Sequence, residues 1–396
     1  MLTMEVNIKY ILLSRIFRSL PLGYMSFLVP LYLHKIGIPT FLIGIYFLIA
    51  TISMAVLLII AGFLGDAYGK RNILLLLSAL FSLNLFIFAF VKIPLIVFLT
   101  SVLGVGTASG GGIGGGAGGG PFNPLQTALI ADHSMQEERT KLYSLNFAVA
   151  TISAFVGGLI SDLVTTIYPS ISYSFLFTLG FIISIFSILF VYLIQKDKGT
   201  GKLSAPKASF SSISKISIAG SLGSIGLGMV MPLIPLWFKL DFNASESEIS
   251  YLYSVSYGLV GISFLFADKI EKLLGRVKSI SMLRGLSSIL LILIPFSPTF
   301  IIASAIFLIR GITYTVTIPM RQSLAMDVFS DRERASGTSI TGLARRVPYG
   351  LGSLISGALF SAGLFAVSIF LGGFISLFDP LLYYMFFRNY EKRSKE

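Results

Sequence analysis

Seven arginines and only two aspartates lie within stretches of the sequence that are otherwise apolar. The arginines are Arg15, Arg18, Arg284, Arg310, Arg321, Arg345 and Arg346, and the aspartates are Asp162 and Asp379. A guanidinium group stays charged and can hold a carboxylate or a phosphate through two parallel hydrogen bonds. Charged side chains in apolar segments are costly to bury, so each of these arginines is a candidate functional residue.

The stretches that hold these arginines are long enough to cross a membrane. A membrane-spanning helix needs about 20 mainly apolar residues, and the 396-residue chain has twelve such segments. In chain order they are residues 9–33, 40–64, 72–91, 94–131, 140–165, 171–194, 212–238, 249–267, 278–296, 299–326, 335–361 and 364–387. Because 55% of the residues are hydrophobic and only 12% are charged, the chain has too few polar residues to cover soluble domains of this size. We therefore predict an all-α membrane protein of twelve spans, surrounded by the lipid bilayer.

The basic residues outside the spans are distributed unevenly. Twenty of them fall in the loops on one side of the predicted membrane, and only Lys35, Lys92 and Lys239 fall on the other. Lys and Arg concentrate in cytoplasmic loops, so we predict a multi-pass protein of the cell membrane with both termini in the cytoplasm. The net charge of +12 then reflects membrane topology, and nucleic acid is not predicted as a partner.

The composition also excludes several kinds of chemistry. The chain has no cysteine and only two histidines, so thiol catalysis, disulfides and cysteine-based metal sites are excluded. The spans show no pair of carboxylates suited to acid–base catalysis. We predict no catalytic residue, no metal and no cofactor, and a membrane enzyme is disfavoured.

Two halves of similar sequence are joined by a polar segment. Residues 196–211 form the longest polar stretch near the middle of the chain, and we interpret them as a linker between six-helix halves at 1–195 and 212–396. The nine residues PLQTALIAD at 124–132 resemble PMRQSLAMD at 319–327. Such internal similarity between halves with the same helix order indicates parallel repeats, which occur in one large class of transporters.

A short motif lies between spans 2 and 3, with the sequence GFLGDAYGKR. Its constrained residues are Gly62, Asp66, Gly69, Lys70 and Arg71. Glycine permits the backbone conformation of a tight turn, and the aspartate can accept charge-assisted hydrogen bonds from an arginine or a helix N-terminus. A degraded copy with Asp268, Gly275 and Arg276 occurs between spans 8 and 9.

This motif resembles the signature loop of the major facilitator superfamily, Gly-x3-Asp-x2-Gly-Arg/Lys-Arg/Lys, at all five constrained positions. With the twelve spans and the half-repeat, the resemblance covers nearly the whole chain. It implies a secondary transporter that works by alternating access, with a cavity between the halves lined mainly by spans 1, 4, 7 and 10. It also implies that the loop stabilises one access state, a role we carry to the motif residues and to Asp268 and Arg276. The alternative is a positively charged turn without a mechanical role.

The sequence departs from the family pattern at two places. Span 4 lacks the Arg that the family carries near the start of that helix, so a proton-handling role there is not implied. The antiporter signature Gly-Pro-x-x-Gly-Gly in span 5 keeps only its final glycines, Gly157 and Gly158. Exchange of drugs for protons is therefore only weakly indicated.

Span 4 holds eleven glycines between residues 104 and 120. Each glycine costs about 1 kcal/mol of helix stability relative to alanine, and Pro94 to Pro124 covers nine more positions than the equivalent Pro298 to Pro319. We predict a helix break at Gly110, Gly111, Gly112, Gly114, Gly115 and Gly116. The tract either exposes backbone amides to the substrate or acts as a hinge, or it is a low-complexity insertion that packs closely.

The positions of the arginines along the spans lead to the site prediction. Arg18 and Arg310 lie near mid-span on two cavity-lining helices, and we predict that they bind an anionic group of the substrate. Arg345 and Arg346 are further candidates, although as neighbours they cannot both face the cavity squarely. The other predicted cavity residues are Tyr24, Asn123, Gln126 and Tyr314. Arg15, Arg284 and Arg321 lie closer to the cytoplasmic ends, and we predict that they extend towards the membrane surface.

The function predicted from these residues is transport of a small organic solute, with an anionic metabolite preferred. Three other interpretations stay open: the arginines act as structural locks that bind carbonyl groups, helix ends or Asp379; the protein exports drugs or general solutes; or it binds a ligand or lipid without moving it. Coupling would use a proton or a counter-substrate, and we predict a monomer.

Overall fold

The helices begin and end where the sequence places proline, glycine or polar residues between apolar runs. The computed structural model describes residues 2–105, 120–133, 139–197, 210–328 and 334–388. All secondary structure within these ranges is helical, as the composition predicts. The first six helices are α1 Leu2–Lys35, α2 Thr40–Tyr68, α3 Lys70–Phe90, α4 in the pieces Pro94–Leu99, Thr100–Leu103 and Phe122–Asp132, α5 Arg139–Ile167 and α6 Ser172–Leu193.

The second six helices follow the same order. They are α7 in the pieces Phe210–Val230 and Ile234–Phe242, α8 Glu246–Ser263 continued by Phe264–Phe266 and Ala267–Leu274, α9 Arg276–Leu293 continued by Ile294–Phe296, α10 in the pieces Phe300–Thr315 and Thr317–Val328, α11 Arg334–Ser361, and α12 in the pieces Phe365–Ser376 and Phe378–Phe387. Within the described residues, each of the twelve predicted spans overlaps one of these helices or its pieces.

Ten of the twelve helices are long and apolar enough to cross a membrane, counted over the described residues. The two others are α4 and α11. In α4 the apolar piece Pro94–Leu103 is too short by itself, and α11 carries the adjacent polar side chains Arg345 and Arg346 in its middle. The all-α membrane fold predicted from the sequence is confirmed.

Helix α4 is interrupted where the glycine-rich tract begins. The first part of α4 ends at Leu103, and Gly104 follows in the left-handed conformation with φ of 61°. A further helical piece of the described residues begins at Phe122. The break predicted at Gly110–Gly112 and Gly114–Gly116 falls outside the described residues, so its placement stays a prediction.

The internal repeat of the sequence is reproduced in the helix packing. Helix α1 packs on α5 and α6, and α7 packs in the same way on α11 and α12. At Gly157 of α5, a Cβ atom would overlap the carbonyl oxygen of Leu20 on α1. At Gly352 of α11, a Cβ atom would overlap the carbonyl oxygen of Ile225 on α7. Both helix pairs therefore touch backbone to backbone at matching positions of the repeat.

The chain forms two compact units, which are Met1–Ile38 with Ile52–Ser204 and Ser245–Gly258, and Pro39–Thr51 with Ala205–Ala244 and Leu259–Glu396. The first unit thus includes the first part of α8, where Ser250 Oγ lies 3.0 Å from Ser161 Oγ on α5. The second unit includes the first part of α2, where Gly44 packs against Gly357 of α11. The division at the linker 196–211 stays a prediction from the sequence.

Candidate functional site

A first arginine cluster, made of Arg15 and Arg18 on α1 and Gln126 on α4, lies inside the first unit. Residues three apart on a helix share a face, and here both arginines meet the same partner. Arg15 Nη1 donates to Gln126 Oε1 at 3.0 Å, and Arg18 Nη2 donates to the same oxygen at 2.9 Å. Both arginines and Gln126 are 0% exposed. The side chains are held by α4 beyond its interruption, where Gln126 lies in the helical piece that starts at Phe122.

The partner that Arg15 and Arg18 share is a neutral group. Gln126 offers one amide oxygen to both guanidinium groups. Its own Nε2 donates to Ser14 Oγ at 3.4 Å, which orients the amide with the oxygen towards the arginines. The Arg18 guanidinium also stacks over the Phe122 ring at 3.9 Å, a contact that holds the guanidinium plane in place. Two cations fixed side by side favour the approach of an anion.

A second arginine cluster, made of Arg284 on α9, Arg310 and Arg321 on α10, and Asp379 on α12, lies inside the second unit. Arg284 Nη1 lies 2.5 Å from Asp379 Oδ2, and Arg321 Nη1 lies 3.5 Å from the same oxygen. Two guanidinium groups lie over the Tyr314 ring of α10: that of Arg284 is 4.4 Å from the ring centroid, and that of Arg310 is 4.8 Å from it. The formal charges of these three arginines exceed that of the single carboxylate.

Small residues on α7 make room for the second cluster. A Cβ atom at Gly220 would lie 2.9 Å from both Arg321 Nη2 and Arg345 Cγ, and one at Gly223 would lie 2.6 Å from Asp379 Cβ. Glycines three apart lie on one helix face, so α7 presents a bare face to the charged side chains. The contact with Gly220 brings Arg345, rather than Arg346, next to the second cluster.

The prediction that Arg15, Arg284 and Arg321 extend towards the membrane surface is wrong. All three are buried, Arg15 at 0%, Arg284 at 3% and Arg321 at 6% exposure. Each has a polar partner inside the protein: Gln126 for Arg15, and Asp379 for the other two. A buried ion pair or hydrogen bond replaces water as the partner of the charge, so these side chains have no need to reach the surface.

The remaining predicted cavity residues differ in burial and in their contacts. Tyr24 is fully buried and donates to the backbone oxygen of Leu176 at 2.9 Å, a packing role away from the first cluster. Asn123 is half-buried on α4, one helical turn before Gln126. Arg345 is exposed and Arg346 is half-buried on α11.

Among the described residues, no group of three His, Asp or Glu side chains could hold a metal ion.

A small cavity opens beside the second cluster. Its polar lining is Arg284, Ser287, Ser288, Arg310, Tyr314, Ser376 and Asp379, and its apolar lining is Gly223, Leu227 and Leu291. The serine hydroxyls donate to backbone oxygens: Ser287 to Arg310 at 3.4 Å, Ser288 to Arg284 at 3.0 Å and Ser376 to Gly372 at 2.8 Å. Two guanidinium groups and one carboxylate therefore border the same space.

The loop motif between α2 and α3 forms the turn that its glycine predicts. Gly69 has φ of 96° and precedes the first residue of α3. The carboxylate of Asp197, just beyond α6, caps α3 by accepting from the backbone nitrogen of Lys70 at 2.6 Å and of Arg71 at 3.0 Å. The Lys70 side chain pairs with Asp132 at 2.5 Å. Gly62 and Asp66 lie in α2, and the Asp66 side chain is outside the described part of the chain.

The degraded copy of the motif repeats the backbone geometry. Gly275 has φ of 83° and precedes α9 as Gly69 precedes α3. Its charged residues pair locally, Arg276 Nε with Glu271 at 2.6 Å and Lys272 with Asp268 at 2.6 Å. Ion pairs between residues close in sequence near the protein surface contribute little stability. The feature that the copy shares with the motif is the turn at its glycine.

Replacing Asp197 by alanine should lower the thermal unfolding midpoint. The change removes the carboxylate that caps the first two backbone amides of α3, and loss of such a cap costs about 1 kcal/mol. Asp197→Asn keeps one acceptor oxygen and serves as the matched control, with a smaller loss. A midpoint for Asp197→Ala equal to that of the unmodified protein would contradict this role.

The fold, the repeat and the loop agree with the comparison with known families. The family model described as Major Facilitator Superfamily matches the chain twice, over residues 11–218 and 216–396. The chain belongs to the Major Facilitator Superfamily. The two matches fall on the two halves of the sequence, so each half corresponds to one repeat of the family fold.

Individual proteins resemble this chain at low identity. The Quinolone resistance protein NorA of Staphylococcus aureus is 24% identical over 357 residues, with 86% of each chain covered. The uncharacterized membrane protein YJR124C of Saccharomyces cerevisiae is 19% identical over 428 residues, covering 96% of this chain and 94% of the yeast protein. A variant of the nucleoside transporter NupG has a crystal structure with a TM-score of 0.74 at 13% identity, covering 96% of this chain and 100% of that chain. The protein is thus a multi-pass membrane protein of a transporter family.

Proposed function

We propose that the protein transports a small organic anion across the cell membrane by alternating access, as a secondary transporter. The observation that carries the proposal is the first arginine cluster, where two fully buried guanidinium groups converge on one neutral amide oxygen. A carboxylate or phosphate of the substrate would replace this oxygen with a charged acceptor, which forms hydrogen bonds about twice as strong. Arg18 is the principal ligand, and Arg15 and Gln126 hold it in position.

The second cluster supports the same proposal. Arg310 is 1% exposed, faces the small cavity and stacks on Tyr314. Among the described residues that line the cavity, the guanidinium groups of Arg284 and Arg310 face one carboxylate, that of Asp379. The net charge of this lining is positive, so the cavity attracts anions. Arg345, placed over Gly220, adds positive charge nearby. We assign Arg310 as the principal anion ligand of this unit and Arg346 as a flanking residue. Asn123, one helical turn before Gln126, is the flanking residue of the first cluster.

The charge distribution supports one orientation of the protein in the membrane. The excess of Lys and Arg on one side of the predicted membrane supports cytoplasmic termini. We propose that the protein works as a monomer and that a proton or a counter-substrate drives transport. The loop residues Asp66, Gly69, Lys70 and Arg71 would stabilise one access state through the Asp197 cap and the Lys70–Asp132 pair.

Uptake into proteoliposomes tests the proposed function. We expect the purified protein to accumulate at least one member of a panel of labelled dicarboxylates and sugar phosphates, and not neutral sugars. Arg310→Gln should reduce this uptake by about tenfold or more, because one charge-assisted hydrogen bond is worth about 1.5–3 kcal/mol. Lys92→Gln removes one charge at an exposed position and is the matched control. Uptake of lipophilic cations alone would contradict the proposal.

Efflux of drugs is the second candidate function. It is favoured by the similarity to NorA, which is described as a quinolone resistance protein and covers 86% of this chain at 24% identity. The final glycine pair of the antiporter signature, Gly157 and Gly158, is also present. Drug export that is unaffected by Arg18→Gln and Arg310→Gln would favour this function.

A further inference from the structure

Asp379 is a carboxylate built into the second arginine cluster, and helix geometry leaves it room to move. It is the second residue of the α12 piece Phe378–Phe387, directly after the interruption at Leu377. The next residue, Pro380, has no backbone N–H, so the oxygen of Ser376 cannot receive the usual helical hydrogen bond from this position. A helix weakened beside Asp379 allows its carboxylate to change position relative to α9 and α10.

The contacts of Asp379 resemble those of a bound anion. One carboxylate oxygen, Oδ2, lies 2.5 Å from Arg284 Nη1 and 3.5 Å from Arg321 Nη1. The other oxygen, Oδ1, is buried and has no hydrogen-bond partner among the described residues. Arg321 Nη2 is likewise buried without a hydrogen bond within the described ranges. The polar atoms around Asp379 are therefore only partly satisfied, so the arrangement falls short of a complete ion-pair network.

The side chains around Asp379 are fixed by other contacts, which keeps the cluster in place without it. Arg284 Nε donates to Thr317 Oγ1 at 3.0 Å, and Arg321 Nε donates to the Tyr383 hydroxyl at 2.8 Å. The remaining nitrogens of both guanidinium groups can thus exchange one anion for another while their planes stay oriented. The small cavity, bordered by Arg284, Arg310 and Asp379, provides the adjacent space.

We infer that Asp379 is a tethered competitor for the substrate anion: it occupies Arg284 and Arg321 when no anion is bound, and an incoming carboxylate or phosphate displaces it. This inference rests on the proposed function and specifies how its second cluster is regulated. The cavity between Arg284, Arg310 and Asp379 has room for little more than water. An anionic ligand group would therefore need more space, and it would take the place that Asp379 vacates. Arg284 and Arg321 then keep a carboxylate partner when no anion is bound.

The test uses inorganic phosphate as a probe on the full-length protein in detergent. Thermal unfolding midpoints are measured against increasing sodium phosphate at constant ionic strength, for the unmodified protein and for Asp379→Asn. A ligand that binds only the folded state raises the midpoint in proportion to occupancy. We expect the apparent dissociation constant for phosphate to fall by about tenfold or more in Asp379→Asn, and this gain to disappear in Asp379→Asn combined with Arg310→Gln.

Asp162→Asn is the matched control, because Asp162 is an aspartate of the apolar spans whose carboxylate accepts from Ser247 rather than from an arginine. Its dissociation constant for phosphate should equal that of the unmodified protein. If Asp379→Asn does not fold, Asp379→Asn with Arg345→Gln carries the same test, since it removes one charge of each sign and keeps Arg284, Arg310 and Arg321. An unchanged or weaker affinity in the folded variant overturns the inference.

Failure of the inference and failure of the proposed function give different results. If the unmodified protein takes up organic anions in proteoliposomes but Asp379→Asn shows no gain in phosphate affinity, Asp379 is a structural ion-pair partner and the transport proposal stands. If no organic anion is taken up, the proposed function fails irrespective of the phosphate data. An absence of phosphate stabilisation in both the unmodified protein and Asp379→Asn also overturns the inference.

Discussion

Arg18→Gln should abolish uptake of organic anions at substrate concentrations near the half-saturation value of the unmodified protein. Arg18 is fully buried and donates to Gln126 at 2.9 Å while it stacks on Phe122 at 3.9 Å, so its guanidinium is held ready for an anion. Loss of a charge-assisted hydrogen bond costs about 1.5–3 kcal/mol, so loss of a pair of them lowers the affinity by more than about a hundredfold. The measurement is the initial rate of uptake into proteoliposomes over a range of substrate concentrations.

The same variant separates a binding role from a structural role. Arg15 and Arg18 are like charges that share one neutral oxygen, so removal of one charge relieves their repulsion. We expect the thermal unfolding midpoint of Arg18→Gln to equal or exceed that of the unmodified protein. A lower midpoint with unchanged uptake would show that Arg18 is a structural lock. Lys92→Gln, which removes a charge from an exposed position, should change neither quantity.

Gly157→Ala and Gly352→Ala should each destabilise the folded protein strongly. A Cβ atom at either position would overlap a backbone carbonyl oxygen of the facing helix, that of Leu20 or of Ile225. Backbone atoms cannot rotate away as a side chain does, so the helices must separate, and overpacking of this kind costs about 1–3 kcal/mol or more. The readout is the thermal unfolding midpoint and the fraction of monodisperse protein after purification.

Gly285→Ala is the matched control for these two variants. Gly285 lies in α9, and a Cβ atom built there meets no atom within 4 Å. Alanine favours a helix over glycine by about 1 kcal/mol, so this variant should be as stable as the unmodified protein or more stable. Equal stability of Gly157→Ala and Gly285→Ala would contradict the backbone contact between α1 and α5.

These two predictions address different properties of the superfamily fold. The glycine contacts recur at matching positions in both repeats, so they belong to the common scaffold that holds α1 against α5 and α7 against α11. The arginines do not recur: the partner of Arg18 is an amide on α4, and the partner of Arg284 is a carboxylate on α12. Side chains that differ between two otherwise similar halves are better candidates for substrate selection than those that the halves share.

The helices, the repeat and the family loop can be predicted from the amino-acid sequence alone. Apolar runs of membrane length predict the spans, because a segment in lipid must satisfy its backbone hydrogen bonds internally. The similarity of residues 124–132 to 319–327 predicted two repeats, and the glycine of the loop motif predicted a turn that the structure shows at Gly69 with φ of 96°. These features depend on neighbouring residues, so they can be read from a single stretch of chain.

Which side chain pairs with each buried charge depends on the folding of the whole chain and cannot be predicted from the sequence. Arg15 lies 111 positions from Gln126, and Arg284 lies 95 positions from Asp379. Asp197, which in the sequence is one charge among several in a polar segment, lies 127 positions from the Lys70 amide that it caps. The distance of Arg15, Arg284 and Arg321 from the ends of their spans predicted side chains that reach the membrane surface, whereas the structure buries all three. The free-energy cost of burying a charge depends on the partner that lies beside it in the folded chain. Because these partners are far apart in sequence, the order of the residues does not identify them.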